Sequence, residues 1–177
     1  ACAEAGKSMI VLDRPNPFGS LTVDGPVTEK KHLSFIGLYP VPRTYGMTVG
    51  ELARYLNREE RINCKLTVIP MINYRRGMIY KQTGLPWVAP SPNIPSPESA
   101  YCFAATGILG ETKSCNIGVG SPVAFQIFGV SWLDAVKASR ELNALKLPGV
   151  TFRRVRFRPI SGGYGPHRLQ AVQIVVT

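Results

Sequence analysis

With 177 residues, 45% of them apolar and 18% charged, the chain can bury a true core and is excluded from the disordered class. Its 21 basic and 11 acidic side chains leave a net charge of +10, which favours an anionic partner such as nucleic acid, an anionic membrane face or an acidic polysaccharide. No apolar run approaches the roughly 20 residues of a membrane span, and Cys2, Cys64, Cys102 and Cys115 lack the CxxC spacing and neighbouring histidines of a zinc site, so no metal is expected.

The opening ACAEAGKS forms no signal peptide and runs at once into MIVLD, while the last residues, QIVVT, read as a strand interior; the chain is expected to be cut at both ends. Met9 to Leu12 are continuously apolar, which predicts a strand over 8–13 buried on both faces. Asp13 then lies at its C-terminal tip, where open α/β sheets place ligand groups. RPNPFGSLTVDGP is too rich in Pro, Gly and Asn for regular structure and predicts a long ordered loop, and the apolar LSFIGLYPVP ends in two prolines. Thr48 followed three residues later by Glu51 predicts a capping box, opening a helix that runs to about Arg61 with Val49, Leu52, Ala53 and Leu56 inward. CKLTVIPM predicts the next strand over 64–71. The basic, aromatic, proline-rich stretch after it is long enough to suggest a functional loop.

Ser96 and Pro97 predict the cap and first position of a helix reaching about Gly107, with Ala100, Phe103 and Ala104 inward. GETKSCNIGVGSP is glycine-rich, yet it has neither P-loop nor dinucleotide spacing, so no nucleotide cofactor is expected. Ser131 is the predicted cap of a third helix carrying Trp132, Leu133, Val136 and Leu142, closed by LPG at 147–149. In VTFRRVRFRP the apolar alternation shifts from Val150 and Phe152 to Val155 and Phe157, which predicts a β-bulge between Arg153 and Arg154. Arg154, Arg156 and Arg158 would share one face. Evenly spaced cations can track phosphates, so a basic nucleic-acid-binding module is an alternative class; without exposed aromatics beside them they read rather as an edge-strand guard against aggregation.

LDRPNP (12–17), SFIGLYPVP (34–42), GMTVGELA (46–53), GLPWVAPSPNIP (84–95), FGVSWLD (128–134) and LPGVTF (147–152) occur in an order and spacing that resembles the bacterial exo-β-N-acetylmuramidase family over nearly the whole chain. The resemblance implies an α/β fold, with the end of a Rossmann-like domain over 1–71 followed by an α+β auxiliary domain over 72–177 and a site in the cleft between them. It implies release of N-acetylmuramic acid from the non-reducing ends of peptidoglycan fragments, no cofactor, and an extracytoplasmic location, periplasmic or secreted. The partners expected are peptidoglycan-derived sugars and a separate N-terminal half of the same protein, with no specific nucleic acid and no membrane span. A non-catalytic module that binds peptidoglycan fragments is the alternative.

The family pattern carries one of its two catalytic glutamates in an upstream Pro-Glu-His-Gly segment, which is not found in these 177 residues. The other maps onto Glu51. Glycoside hydrolysis ordinarily needs two carboxyl groups, so this chain alone is expected not to turn over. In the first turn of a helix the charged form of Glu51 is favoured, which suits a base, nucleophile or cation stabiliser better than an acid. The competing explanation is that Glu51 only closes the capping box. Asp13 and Arg14, with Asn16 beside them, are candidates to bind sugar hydroxyls, or simply to hold their own loop. Arg75 and Arg76, flanked by Tyr74 and Tyr80, are candidates for the lactyl carboxylate of muramic acid, against a solvated basic loop. Asn93 is a candidate hydroxyl clamp, and Trp87 reads as a loop anchor. Ile117 and Val119 stand where many relatives carry an acidic and arginine-containing loop, which leaves the exact substrate open.

Overall fold

The computed structural model describes residues 1–160 and 168–177, and the chain clusters into two compact units, Ala1–Leu85 and Pro86–Thr177. The boundary expected at 71 falls inside the first of these.

In the first unit β1 (Met9–Leu12) pairs in parallel with β4 (Leu66–Ile69), with Met9 opposite Leu66 and Leu12 opposite Ile69. Parallel neighbours need a crossover, and α1 (Val49–Glu59) provides it. The segment before α1, expected to be irregular, instead contains β2 (Val23–Val27), which forms an antiparallel ribbon with β3 (Pro42–Tyr45). Gly25 and Pro26 are tolerated there because the register breaks between Asp24 and Val27, and a two-stranded ribbon leaves an unpaired edge for a residue without a donor.

α1 lies close on one face of the parallel pair, so close that a Cβ at Gly50 would sit 2.5 Å from a methyl of Val68. The opposite face is bare: Ile10 is 66%, Leu12 70% and Ile69 46% exposed. The expectation of a strand buried on both faces is therefore corrected. The apolar run does form a strand with two apolar faces, but the first unit supplies a cover for only one of them.

The second unit is built on an antiparallel sheet of order β5–β7–β6, with β5 spanning Ile127–Val130, β6 Val150–Phe157 and β7 Leu169–Val176. The central strand is β7, and its Ala171 and Val172 are fully buried. β6 keeps an unbroken register with β7 from Val150–Val176 to Phe157–Leu169, so the expected bulge is absent. Its shifted alternation has another cause. Val150 and Phe152 join the core of Cys102, Ile117, Ala124, Phe125 and Ile174, whereas the Phe157 ring reaches Gly129 across Ala171 on the opposite face. Two covered faces produce the same pattern as a displaced register.

α2 (Pro97–Glu111) starts at the Ser96 cap, as expected, but continues a turn past Gly107. It buries Ser99, Ala100, Cys102, Thr106 and Gly107, while Phe103, expected inward, is 38% exposed and meets Phe125 edge-on at 4.9 Å. α3 (Ala135–Ala144) starts from Asp134 rather than Ser131, because the Asp134 carboxylate accepts from the N–H groups of both Val136 and Lys137. Trp132 precedes this helix and is 80% exposed. β6 is an edge strand bearing exposed Arg154 and Arg156, in keeping with the aggregation-guard reading, and the Asn143 amide of α3 brackets its edge by bonding both backbone groups of Phe152. Among the described residues no helix is long and apolar enough to cross a membrane.

Candidate active site

β1 ends at Asp13, and its carboxylate meets the start of α1. Asp13 Oδ2 accepts the Thr48 hydroxyl at 2.8 Å, while Oδ1 accepts the Gly50 N–H at 2.8 Å and the Arg14 N–H at 2.9 Å. A carboxylate at a helix N-terminus is stabilised by the free N–H groups and the macrodipole. Thr48 is almost completely buried and its Oγ1 in turn accepts the Glu51 N–H at 3.1 Å; Glu51 Oε2 accepts the Thr48 N–H at 3.0 Å, completing the expected capping box. Glu51 is thus tied through one residue to the strand tip.

Three loops converge on this helix end. Asn16, buried, donates from Nδ2 to the Met47 carbonyl at 2.9 Å and accepts the Phe18 N–H on Oδ1 at 3.1 Å. Ser20 is fully buried; its N–H donates to the Arg76 carbonyl at 2.6 Å, and its hydroxyl lies 2.9 Å from the Tyr74 hydroxyl. Gly19 adopts φ +75° in a position where a Cβ would press on the Met78 carbonyl at 3.3 Å, so this approach of two backbones favours glycine twice over. The Arg76 guanidinium closes the arrangement: Nη2 donates to the carbonyls of Ser20 at 2.7 Å and Gly46 at 3.1 Å, and Nη1 lies 3.1 Å from Glu51 Oε1. Next to Gly46, burial raises the pKa of the Tyr45 hydroxyl.

Both Glu51 oxygens accept from fixed donors while its side chain keeps 29% exposure and lines a surface recess of about 320 Å³ with Arg54, Tyr55 and Arg58. Such a group is an oriented, solvent-reachable acceptor. Asp13 is the other carboxylate in the network, but its two oxygens already accept three protein donors. Among the described residues no group of three or more His, Cys, Asp or Glu side chains could hold a metal ion.

The structure therefore joins Asp13, Asn16, Glu51 and Arg76 in one network and leaves the side chains of Arg14 and Arg75 exposed on the same unit. Asn93 belongs to the second unit, on an exposed loop where its backbone N–H donates to Ser91 Oγ, and Trp87 there donates from Nε1 to the Ile94 carbonyl at 3.2 Å as a loop anchor would. Sequence reading missed Thr48 as the bridge to Asp13, and it missed Ser20, Gly46 and Gly50. The signal available for Gly50 was a glycine inside a helix's first turn, which costs stability unless something passes close by.

A family profile described as "Exo-beta-N-acetylmuramidase NamZ, N-terminal" matches residues 1–98, and its C-terminal counterpart matches residues 101–177. The chain belongs to the exo-β-N-acetylmuramidase NamZ family. The resemblance carried by the six motifs is borne out along the whole sequence. The chain is 41% identical over 177 residues to the peptidoglycan β-N-acetylmuramidase NamZ of Bacillus subtilis (strain 168), and it spans 42% of that relative's length. Two crystal structures of DUF1343 family proteins from Bacteroides fragilis NCTC 9343 are similar to it. One superposes with a TM-score of 0.90 at 44% identity, the match covering 99% of this chain and 46% of that protein. The other gives 0.68 at 32% identity, covering 99% and 45%. The mixed α/β architecture of the family is that of this chain.

Proposed function

We propose that this chain contributes one side of a peptidoglycan exo-β-N-acetylmuramidase site, in which Glu51 is the carboxylate that acts as base, nucleophile or cation stabiliser. The observation that carries this reading is the double anchoring of a part-exposed Glu51 at the C-terminal end of a parallel strand pair, in a chain 41% identical to a protein named peptidoglycan β-N-acetylmuramidase. Ligands of open α/β sheets bind at that end. Asp13 and Asn16 organise the loops around Glu51, while Arg14 offers donors to sugar hydroxyls and Arg75 a cation to the lactyl carboxylate. The second carboxylate comes from a further part of the enzyme. The bare apolar face of Ile10, Leu12 and Ile69, and the 42% share of the Bacillus relative, support such a part as the partner that also covers the sheet. An extracytoplasmic location belongs to the same proposal, as the family resemblance implies.

The test is Glu51→Gln in the natural polypeptide containing these residues. Glutamine keeps the reciprocal cap but not the charge, so turnover of a chromogenic N-acetylmuramide should fall roughly a hundredfold or more while stability falls by about 1 kcal/mol or less. Turnover in proportion to folded protein would reduce Glu51 to a cap.

A further inference from the structure

We propose that Arg76 is a positioning residue for Glu51, a latch that fixes the direction of its carboxylate, and not a ligand for the carboxylate of the substrate. The inference rests on the reading of Glu51 as the reactive carboxylate. Its basis is the way the guanidinium fork is spent. Nη2 donates to two carbonyls from different loops, Ser20 at 2.7 Å and Gly46 at 3.1 Å, which consumes both of its hydrogens and sets the plane of the group. With that plane set, Nη1 is aimed at Glu51 Oε1, 3.1 Å away.

Glu51 Oε2 is held independently by the Thr48 N–H at 3.0 Å. One donor on each oxygen blocks rotation of the carboxylate about its last bond. The latch is itself anchored, because the Arg76 carbonyl accepts the N–H of fully buried Ser20 at 2.6 Å and Tyr74, two residues earlier, bonds the Ser20 hydroxyl at 2.9 Å. An arginine in this position has few donors left for a ligand, whereas the neighbouring Arg75 side chain is exposed and has no protein partner among the described residues. A lysine ammonium could serve the two carbonyls that Nη2 serves, but it lacks the fork that aims a second nitrogen at Glu51. The pair with Glu51 is half-exposed at Arg76, so its worth lies in direction more than in stability.

The experiment compares Arg76→Met and Arg76→Lys, each alone and combined with Glu51→Gln, in the natural polypeptide, with kcat, KM and melting temperature measured on a chromogenic N-acetylmuramide. A latch predicts that Arg76→Met lowers kcat by roughly tenfold to a hundredfold with KM changed less than about threefold, and that Arg76→Lys falls between it and the wild type. In the Glu51→Gln background the same substitution should change kcat less than about twofold, because residues acting as a unit are not additive. If Arg76→Met fails to fold, the cycle is read from Arg76→Lys. A raised KM with kcat retained would show that Arg76 binds substrate directly and would overturn the proposal, as would an undiminished loss in the Glu51→Gln background. Normal turnover of Glu51→Gln alone would remove both this inference and the reading beneath it, so the two failures are distinct.

Discussion

Asp13 finishes a strand and begins a helix 35 positions later in the chain, through the Thr48 hydroxyl and the Gly50 N–H. Two charge-assisted bonds at a helix terminus make Asp13→Ala cost about 2–3 kcal/mol, and Asp13→Asn, which keeps one acceptor, about 1 kcal/mol; urea unfolding of both variants measures it. The effect on turnover should follow, since a frayed first turn loosens Glu51. At this scale the sequence was informative about neighbours and silent about distant partners. The Thr48–Glu51 cap is written in a spacing of three residues, but that Asp13 and Arg76 would meet it from either side depends on loops whose paths no local pattern encodes. Asn16 shows the same limit. Its residue type suits a sugar clamp, while its burial and its two backbone bonds give it to the loop.

Elements were legible where one periodicity competed with none. α1, α2 and β4 begin close to where caps and apolar runs place them. The start of α3 was misplaced because Ser131 and Asp134 are both good caps, and only the three-dimensional turn decides between them. The bulge in β6 was inferred from a pattern that a strand with a core on each face reproduces without irregularity. The same strand offers a test of edge protection. Asn143 occupies the N–H and carbonyl of Phe152 at 2.9 and 2.6 Å, so Asn143→Ala should cost about 1 kcal/mol and speed amide exchange at Phe152 more than at any residue of β7. Unchanged exchange would mean that the bracket is an ornament of the surface.

For the molecule as a whole, the bare face of the β1–β4 pair sets what the 177 residues can do alone. They should release no muramic acid from peptidoglycan fragments without a further part that brings a second carboxylate, and robust turnover by this chain in isolation would refute that. The same face should make the isolated chain prone to self-association, which sedimentation at rising concentration would reveal. The second unit carries its own pH signature. Burial, with a smaller push from Glu98, raises the Cys102 thiol from 9.0 to about 11. Between those values the unfolded chain has lost a proton that the folded chain keeps, so stability should be full below about pH 9 and decline toward pH 11. Cys102→Ala should flatten that decline in a series of thermal melts, and an unchanged slope would assign it to other groups.

The Thr48 hydroxyl gives its hydrogen to Asp13 and its lone pair to the Glu51 N–H, so it is used in both directions at once. Valine would match its shape and lose both bonds, and serine alone among the common residues could replace it without reversing a donor. The consequence is a spaced diagnostic for genome reading: an aspartate at a strand tip, then 35 positions on a hydroxyl residue, glycine two after it and glutamate three after it. A chain that keeps the local Thr-x-Gly-Glu but replaces the distant aspartate would retain the helix while losing the tether that aims it, and it should be sorted among sugar binders before it is sorted among hydrolases.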